Sequence, residues 1–173
     1  MFFFLKVLLR GYKIGLRPIY IDESGFFLKN SNFKNWCENS DKYYSKVSNT
    51  NIKLNLLMAV SEKQVIYYKI SEINTSGEQF LIFMKDLIDK MDDNDKKHSI
   101  FIMDNLSSHL TLELFQFYFN NDLKVLFTIP YKSTFNMIEK VFHHIKNNTY
   151  KKIYGNKKEL LRRYKKNHWK QSI

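Results

Sequence analysis

A single cysteine, Cys37, occurs in 173 residues. One thiol excludes an internal disulfide and any zinc site built from several cysteines, and it suits an intracellular protein. Proline is scarce at two residues and glycine at five. Neither gathers into a flexible linker, and no internal repeat is present. No apolar run reaches the roughly 18–20 residues of a membrane span, so no membrane association is expected. The opening Met1-Phe2-Phe3-Phe4-Leu5-Lys6-Val7-Leu8-Leu9-Arg10 is apolar but interrupted by Lys6. It has no basic segment ahead of the apolar stretch and no small-residue cleavage site. It therefore reads as a short strand or helix packed on the domain, not as a signal peptide. Acidic residues nearly vanish at the end of the chain: residues 140–173 hold 11 basic side chains against Glu159 alone, whereas residues 1–139 hold 17 basic and 16 acidic.

What is present begins with that imbalance. The net charge is +11, and the final fifth carries nearly all of it. Lys146, Lys151, Lys152, Lys157, Lys158, Arg162, Arg163, Lys165, Lys166 and Lys170 are interleaved with Tyr150, Tyr154, Tyr164 and Trp169. Cations among aromatics suit a phosphate backbone and exposed bases, although a solvated helical tail has the same composition. The length fits one domain with a real core, at an ordinary 44% hydrophobic content and a rich 16% aromatic content.

The hydrophobic pattern gives an order of elements. Ile19 to Phe27 reads as a strand, residues 29–50 as an irregular excursion, and Ile52–Val60 with Gln64–Ile70 as a hairpin across Ser61-Glu62-Lys63. Thr75 or Ser76 can cap a helix in which Phe80, Phe83, Met84, Leu87, Ile88 and Met91 repeat at helical spacing. Asp92 to Lys97 reads as a polar turn and Ser99 to Met103 as a buried strand. Ser107 or Ser108 can open a helix with Leu110, Leu114, Phe117 and Tyr118 inward. Leu123 to Thr128 is a further strand and Pro130 to Thr134 a loop. A helix from Phe135 to about Lys152 follows, then a break at Gly155-Asn156 and a last basic helix. The first three strands should be antiparallel. The later two arrive by crossovers and should lie parallel to the first. The expected fold class is α/β: a ribonuclease H-like mixed five-stranded sheet flanked by helices, with the first strand beside the fourth.

Three acids punctuate this pattern. Apolar runs end in Asp22 and in Asp104, as buried strands do when they deliver carboxylates to a sheet edge. Glu139 sits in the helix after Pro130-Tyr131. Singly, each has an ordinary reading: turn former or helix cap for the aspartates, solvated helix residue for the glutamate. Together they have the composition of a site in which carboxylates hold two divalent cations for phosphoryl transfer. Glu23 should point to the other face of its strand and reads as structural. Asn105 and Asn136 could orient carboxylates or touch phosphate, or be turn residues. His109 could support a carboxylate or contact DNA, or simply start a helix. His143 shares Glu139's helix face.

The motifs resemble the catalytic domain of the DDE transposases of the mariner superfamily and their bacterial insertion-sequence relatives. Asp22-Glu23-Ser24-Gly25-Phe26 is similar to the family's first motif, and Asp104-Asn105 followed by His109 to its second. Pro130-Tyr131-Lys132-Ser133-Thr134-Phe135-Asn136-Met137-Ile138-Glu139 is similar to its third. The 34 residues between Asp104 and Glu139 match the family's spacing, and Trp36 falls where relatives often carry a Trp. Two motif prolines are replaced by Ser133 and Met137, and Lys132 stands where Ser is usual. That loosens the loop without removing a carboxylate. The resemblance implies Asp22, Asp104 and Glu139 as catalytic and metal-binding residues holding two Mg²⁺ (or Mn²⁺) ions. It implies DNA as partner, both transposon ends and target, cut by hydrolysis and then joined through a freed 3′-hydroxyl. It also implies a homodimer and, in a eukaryotic host, the nucleus, otherwise the cytoplasm or nucleoid. Lys132, Lys146, Lys151, Lys152, Arg162 and Arg163 are the expected nucleic-acid contacts. The expected organisation is a short segment 1–16, a catalytic domain 17–152 and a basic helical tail 153–173. About 20 residues precede the first acid, too few for the family's helix-turn-helix modules. The expectation is an isolated catalytic domain, a gene fragment, or an inactive nucleic-acid-binding remnant; a ribonuclease H or resolvase is a weaker reading.

Overall fold

The computed structural model describes residues 2–28, 52–128 and 137–150. The 29–50 excursion with Trp36, the loop carrying Lys132 and Asn136, and the tail with Lys151, Lys152, Arg162 and Arg163 lie outside the described residues.

A five-stranded sheet forms the middle layer. Helix α1 (Phe2–Lys13) leads into β1 (Arg17–Leu28), followed by β2 (Ile52–Ser61), β3 (Val65–Ser71), α2 (Gly77–Asp89), α3 (Asp93–Lys97) and β4 (Ser99–Met103). A single 3₁₀ turn at Ser107–His109 then precedes α4 (Leu112–Asn120), β5 (Lys124–Phe127) and α5 (Ile138–Tyr150). The strand order is β3-β2-β1-β4-β5. β1 pairs antiparallel with β2 and parallel with β4, β2 antiparallel with β3, and β4 parallel with β5. These are the directions and the β1–β4 adjacency that the sequence pattern predicts.

Strand alternation divides the core into two layers. Ile19, Ile21, Phe101 and Met103 face α2 and α4, packing with Phe80, Phe83, Met84, Leu87 and Leu114. Tyr20, Phe26, Ile100 and Ile102 face the opposite way, against Phe4 of α1 and Ile138, Phe142 and Ile145 of α5. Phe80, Phe83, Met84 and Leu87 are wholly buried; burial of one such side chain is worth about 1.5–3 kcal/mol. The helix they stabilise starts where its chemistry dictates. Ser76 accepts from the Gln79 amide while the Gln79 side chain accepts from the Ser76 amide, a reciprocal capping box.

Three expectations are corrected. Asp92–Lys97 is not a bare turn: Asp92 caps a short helix by accepting from the Asp95 amide at 2.6 Å. Acids at its start and lysines at its end suit the helix dipole. The helix expected from Ser107 or Ser108 begins later. Those serines make the 3₁₀ turn, and Thr111 caps α4 by accepting from the Leu114 amide. Leu110 therefore lies between the two elements and is 41% exposed, while Leu114 and Tyr118 do point inward.

Candidate active site

The sheet register sets the position of the two aspartates. Tyr20 pairs with Ile102 across the parallel β1–β4 ladder. Asp22, on β1, and Asp104, just past the end of β4, each stand two residues beyond this last pair. Alternation puts Asp22 on the layer that α1 and α5 cover, with Tyr20 and Phe26. Glu139 is in the first turn of α5, the helix that packs on this layer, and is exposed to solvent. Ile138 beside it is fully buried and anchors that turn to the sheet.

Asp22 is the electrostatic centre of this arrangement. Its carboxyl is pushed up from an ordinary 3.8 to about 7, chiefly by burial and then by the negative charges of Asp104 and Glu139. The Glu23 amide, which donates to Asp22 Oδ1 at 2.7 Å, and the nearby His109 ring work the other way. Asp104 and Glu139, as negative neighbours, thus disfavour the ionised form of Asp22. Among the described residues, no three acidic, histidine or cysteine side chains stand close enough to form a cation cage as they are. The donor set is nonetheless all oxygen and negatively charged, which suits a hard divalent cation, and Asp22 feels both other acids.

Asp104 follows the last residue of β4 and is part-exposed, with 34% of its side chain accessible. The His109 ring, itself fully buried, holds it: Nδ1 lies 2.8 Å from Asp104 Oδ1 and 3.2 Å from the Asp104 main-chain oxygen. Asn105 turns away from the acids and donates from Nδ2 to the Thr128 oxygen at 3.0 Å, bracing the ends of β4 and β5. His143 is exposed and its Nε2 accepts from Asn147 Nδ2 at 2.8 Å. Lys146 is the expected nucleic-acid contact that falls among the described residues, and its ammonium lies 5.6 Å from the Phe26 ring centroid, on the acid-bearing layer. Cation–π support of this kind orients a lysine without neutralising it.

Glu23 lies on the opposite layer to Asp22, beside Leu57, its cross-strand partner. Its Oε2 and His109 Nε2 are buried without a hydrogen-bond partner among the described residues. Sequence reasoning missed the part played by Phe80, whose ring centroid lies 3.9 Å from that of His109. Nothing in the pattern distinguishes it, because an aromatic at helical spacing reads only as core.

Among curated proteins, none matches this chain by sequence. Solved structures do match in fold. One is described as the Mos1 transposase paired-end complex with left transposon end, at 14% identity and a TM-score of 0.72 over 98% of this chain. This chain spans about half of that transposase, 53% of its length. The crystal structure of the catalytic domain of Mos1 mariner transposase matches at 15% identity and TM-score 0.72, covering 98% of this chain and 78% of that one. A structure of the same catalytic domain with raltegravir and Mn matches at 16% identity and TM-score 0.72, covering 98% and 79%. At such identities the likeness establishes the ribonuclease H-like fold. Residues 17–161 also match the family described as DDE superfamily endonuclease. That match takes in all five strands and all three acids, and the chain therefore belongs to the DDE superfamily of endonucleases.

Proposed function

We propose that the chain is a transposase catalytic domain that cuts and joins DNA phosphodiesters at Asp22, Asp104 and Glu139. The observation that carries this reading is the coupling of Asp22 to both other acids in a half-buried site. A protein gains nothing in stability by burying an aspartate within the field of two other acids, so the arrangement calls for a positively charged ligand. Mg²⁺ or Mn²⁺ fits the oxygen donors, and Asp22, Asp104 and Glu139 would hold it. Bound there, divalent cations would polarise the scissile phosphate and favour deprotonation of the attacking water or 3′-hydroxyl. The likeness to transposase structures that contain Mn or Mg, and to complexes with transposon ends, supports the same reading.

The chain's own residues do the rest. Asp22 keeps its carboxylate turned by the Glu23 amide. Ile138 fixes the helix turn that presents Glu139. Lys146, on the acid-bearing layer, is placed to meet a phosphate running past the site, and the basic tail would extend that path. The partners are DNA at the element's ends and at the target. Two ends joined in one reaction call for two copies of the chain.

The test is Mn²⁺-dependent nicking of supercoiled plasmid by the purified chain beside Asp104→Asn. Nicking that disappears in the variant supports the reading. Equal nicking by both, or none by either with DNA still bound at low salt, leaves a transposase-derived DNA-binding domain without catalysis.

A further inference from the structure

His109 is one of two side chains among the described residues with a buried, unpartnered polar atom. Its ring has no accessible surface, yet one nitrogen, Nε2, is left without a hydrogen-bond partner among the described residues. Native proteins rarely tolerate that, and where they do the group has a task. The task is visible at the other nitrogen. Nδ1 faces two oxygens of one residue, Asp104 Oδ1 at 2.8 Å and Asp104 O at 3.2 Å. Both are acceptors, so Nδ1 must carry the hydrogen. A donor shared between a carboxylate and its own main-chain carbonyl ties the side chain to its backbone and removes its rotational freedom.

The ring is held in turn. Phe80, one turn into α2 and fully buried, lies against it with centroids 3.9 Å apart and planes inclined by 31°. Below Phe80, the first residue of α2 touches the residue that caps α4. A Cβ on Gly77 would come within 2.7 Å of Thr111 Cγ2, so glycine lets α2 start here without displacing that methyl. A buried ring between Phe80 and Asp104 has no surface to offer to a nucleic acid.

We propose that His109 is a positioning residue that locks the Asp104 carboxylate, and that α2, through Phe80 and Gly77, is the wall that keeps His109 in place. The consequence for cation binding rests on the acid-site reading above; the geometry of the clamp does not. The histidine supplies no ligand and touches no substrate. Its contribution is that Asp104 is already turned to its working position before any cation arrives, and residues that fix ligands in this way change metal affinity by about 10–100-fold when removed.

Two measurements on the purified full chain test this. The first needs no metal. Long-range proton–nitrogen NMR distinguishes the two neutral ring forms, and the His109 signals are identified by their loss in His109→Phe or, should that variant not fold, in His109→Asn. The expected form is Nδ1–H; an Nε2–H ring overturns the proposal. The second counts free Mn²⁺ by its spin-resonance signal as protein is added. His109→Phe keeps an aromatic against Phe80 but loses the donor, and should bind Mn²⁺ about 10–100-fold more weakly. His109→Asn can donate from the Nδ1 position and should recover most of that loss. Unaltered binding by a folded His109→Phe, or no recovery with Asn, overturns the proposal. If His109→Phe does not fold, Phe80→Leu, which frees the ring but keeps the donor, should show the same weakening, and unaltered binding by it overturns the proposal equally. A wild-type chain that takes up no Mn²⁺ defeats the proposed cation site, and the ring form alone then decides the clamp.

Discussion

The two layers of the core do different work with the same strands. The α2/α4 layer is mostly apolar: Phe80, Phe83, Met84, Leu87, Phe101 and Met103 have no accessible surface, and Glu23 and the His109 ring are its polar members. The α1/α5 layer uses the alternate positions of the same strands and admits polar groups, with Asp22 and Ser24 between Tyr20 and Phe26 on β1. One layer is mostly packing, and the other gives up stability to the buried Asp22 carboxyl. The comparison teaches that a site can be demanding because the opposite face of its own strands is not.

That contrast can be broken in four ways. The largest effect should come from Asp104→Asn on the acid-bearing layer, which should cost at least about 10³-fold in Mn²⁺-dependent nicking while leaving the melting temperature of the metal-free chain nearly unchanged. Phe83→Ala on the other layer should do the reverse. It should lower unfolding free energy by about 3–5 kcal/mol in urea titrations, whatever it does to activity.

The third test uses pH. The folded-state value of Asp22 is about 7 against an ordinary 3.8, so the folded chain holds this proton more tightly than the unfolded one. Stability of the metal-free chain should therefore fall as pH rises from about 4 to about 7 and level off above that, by at most roughly 4 kcal/mol. Asp22→Asn should flatten this fall and be the more stable protein at about pH 8. Added Mn²⁺ should restore the wild type at that pH and not the variant. The smallest effect belongs to the helix that frames the apolar layer: Ser76→Ala removes one half of the capping box and should cost about 1 kcal/mol in the same urea titrations.

Much of this was legible in the residues. Alternation and run length revealed all five strands, and the hairpin spacing with the two later crossovers dictated their directions. The acids were legible because each ended an apolar run or followed a recognisable turn. What escaped had no period to betray it. The short helix after Asp92 contains no apolar residue, and its signals were chemical: a capping aspartate, then acids, then lysines. The late start of α4 escaped for another reason. Ser107 and Ser108 are good caps, but His109 is drawn inward to Asp104 and the chain turns in 3₁₀ form to allow it. Thr111 then makes the cap. A tertiary contact overrode a local preference, and no local rule contains that contact. The clamp itself was half-visible: His109 stood out, but the Phe80 ring that pins it comes from 29 positions earlier in the chain.

The parallel ladder between β1 and β4 has a consequence for how this site can fail. Adjacent strands run about 4.8 Å apart, and successive side chains point to opposite faces. The last ladder pair, Tyr20 with Ile102, thus sets in whole residues where the chain leaves for Asp22 and Asp104. A slip of one position between the strands would not weaken the site by degrees; it would send one aspartate into the phenylalanines of the other layer. Errors here are digital: the wrong register would add a second carboxylate beside Glu23 on the layer of those rings, a costly burial that disfavours it at folding, before any DNA is met.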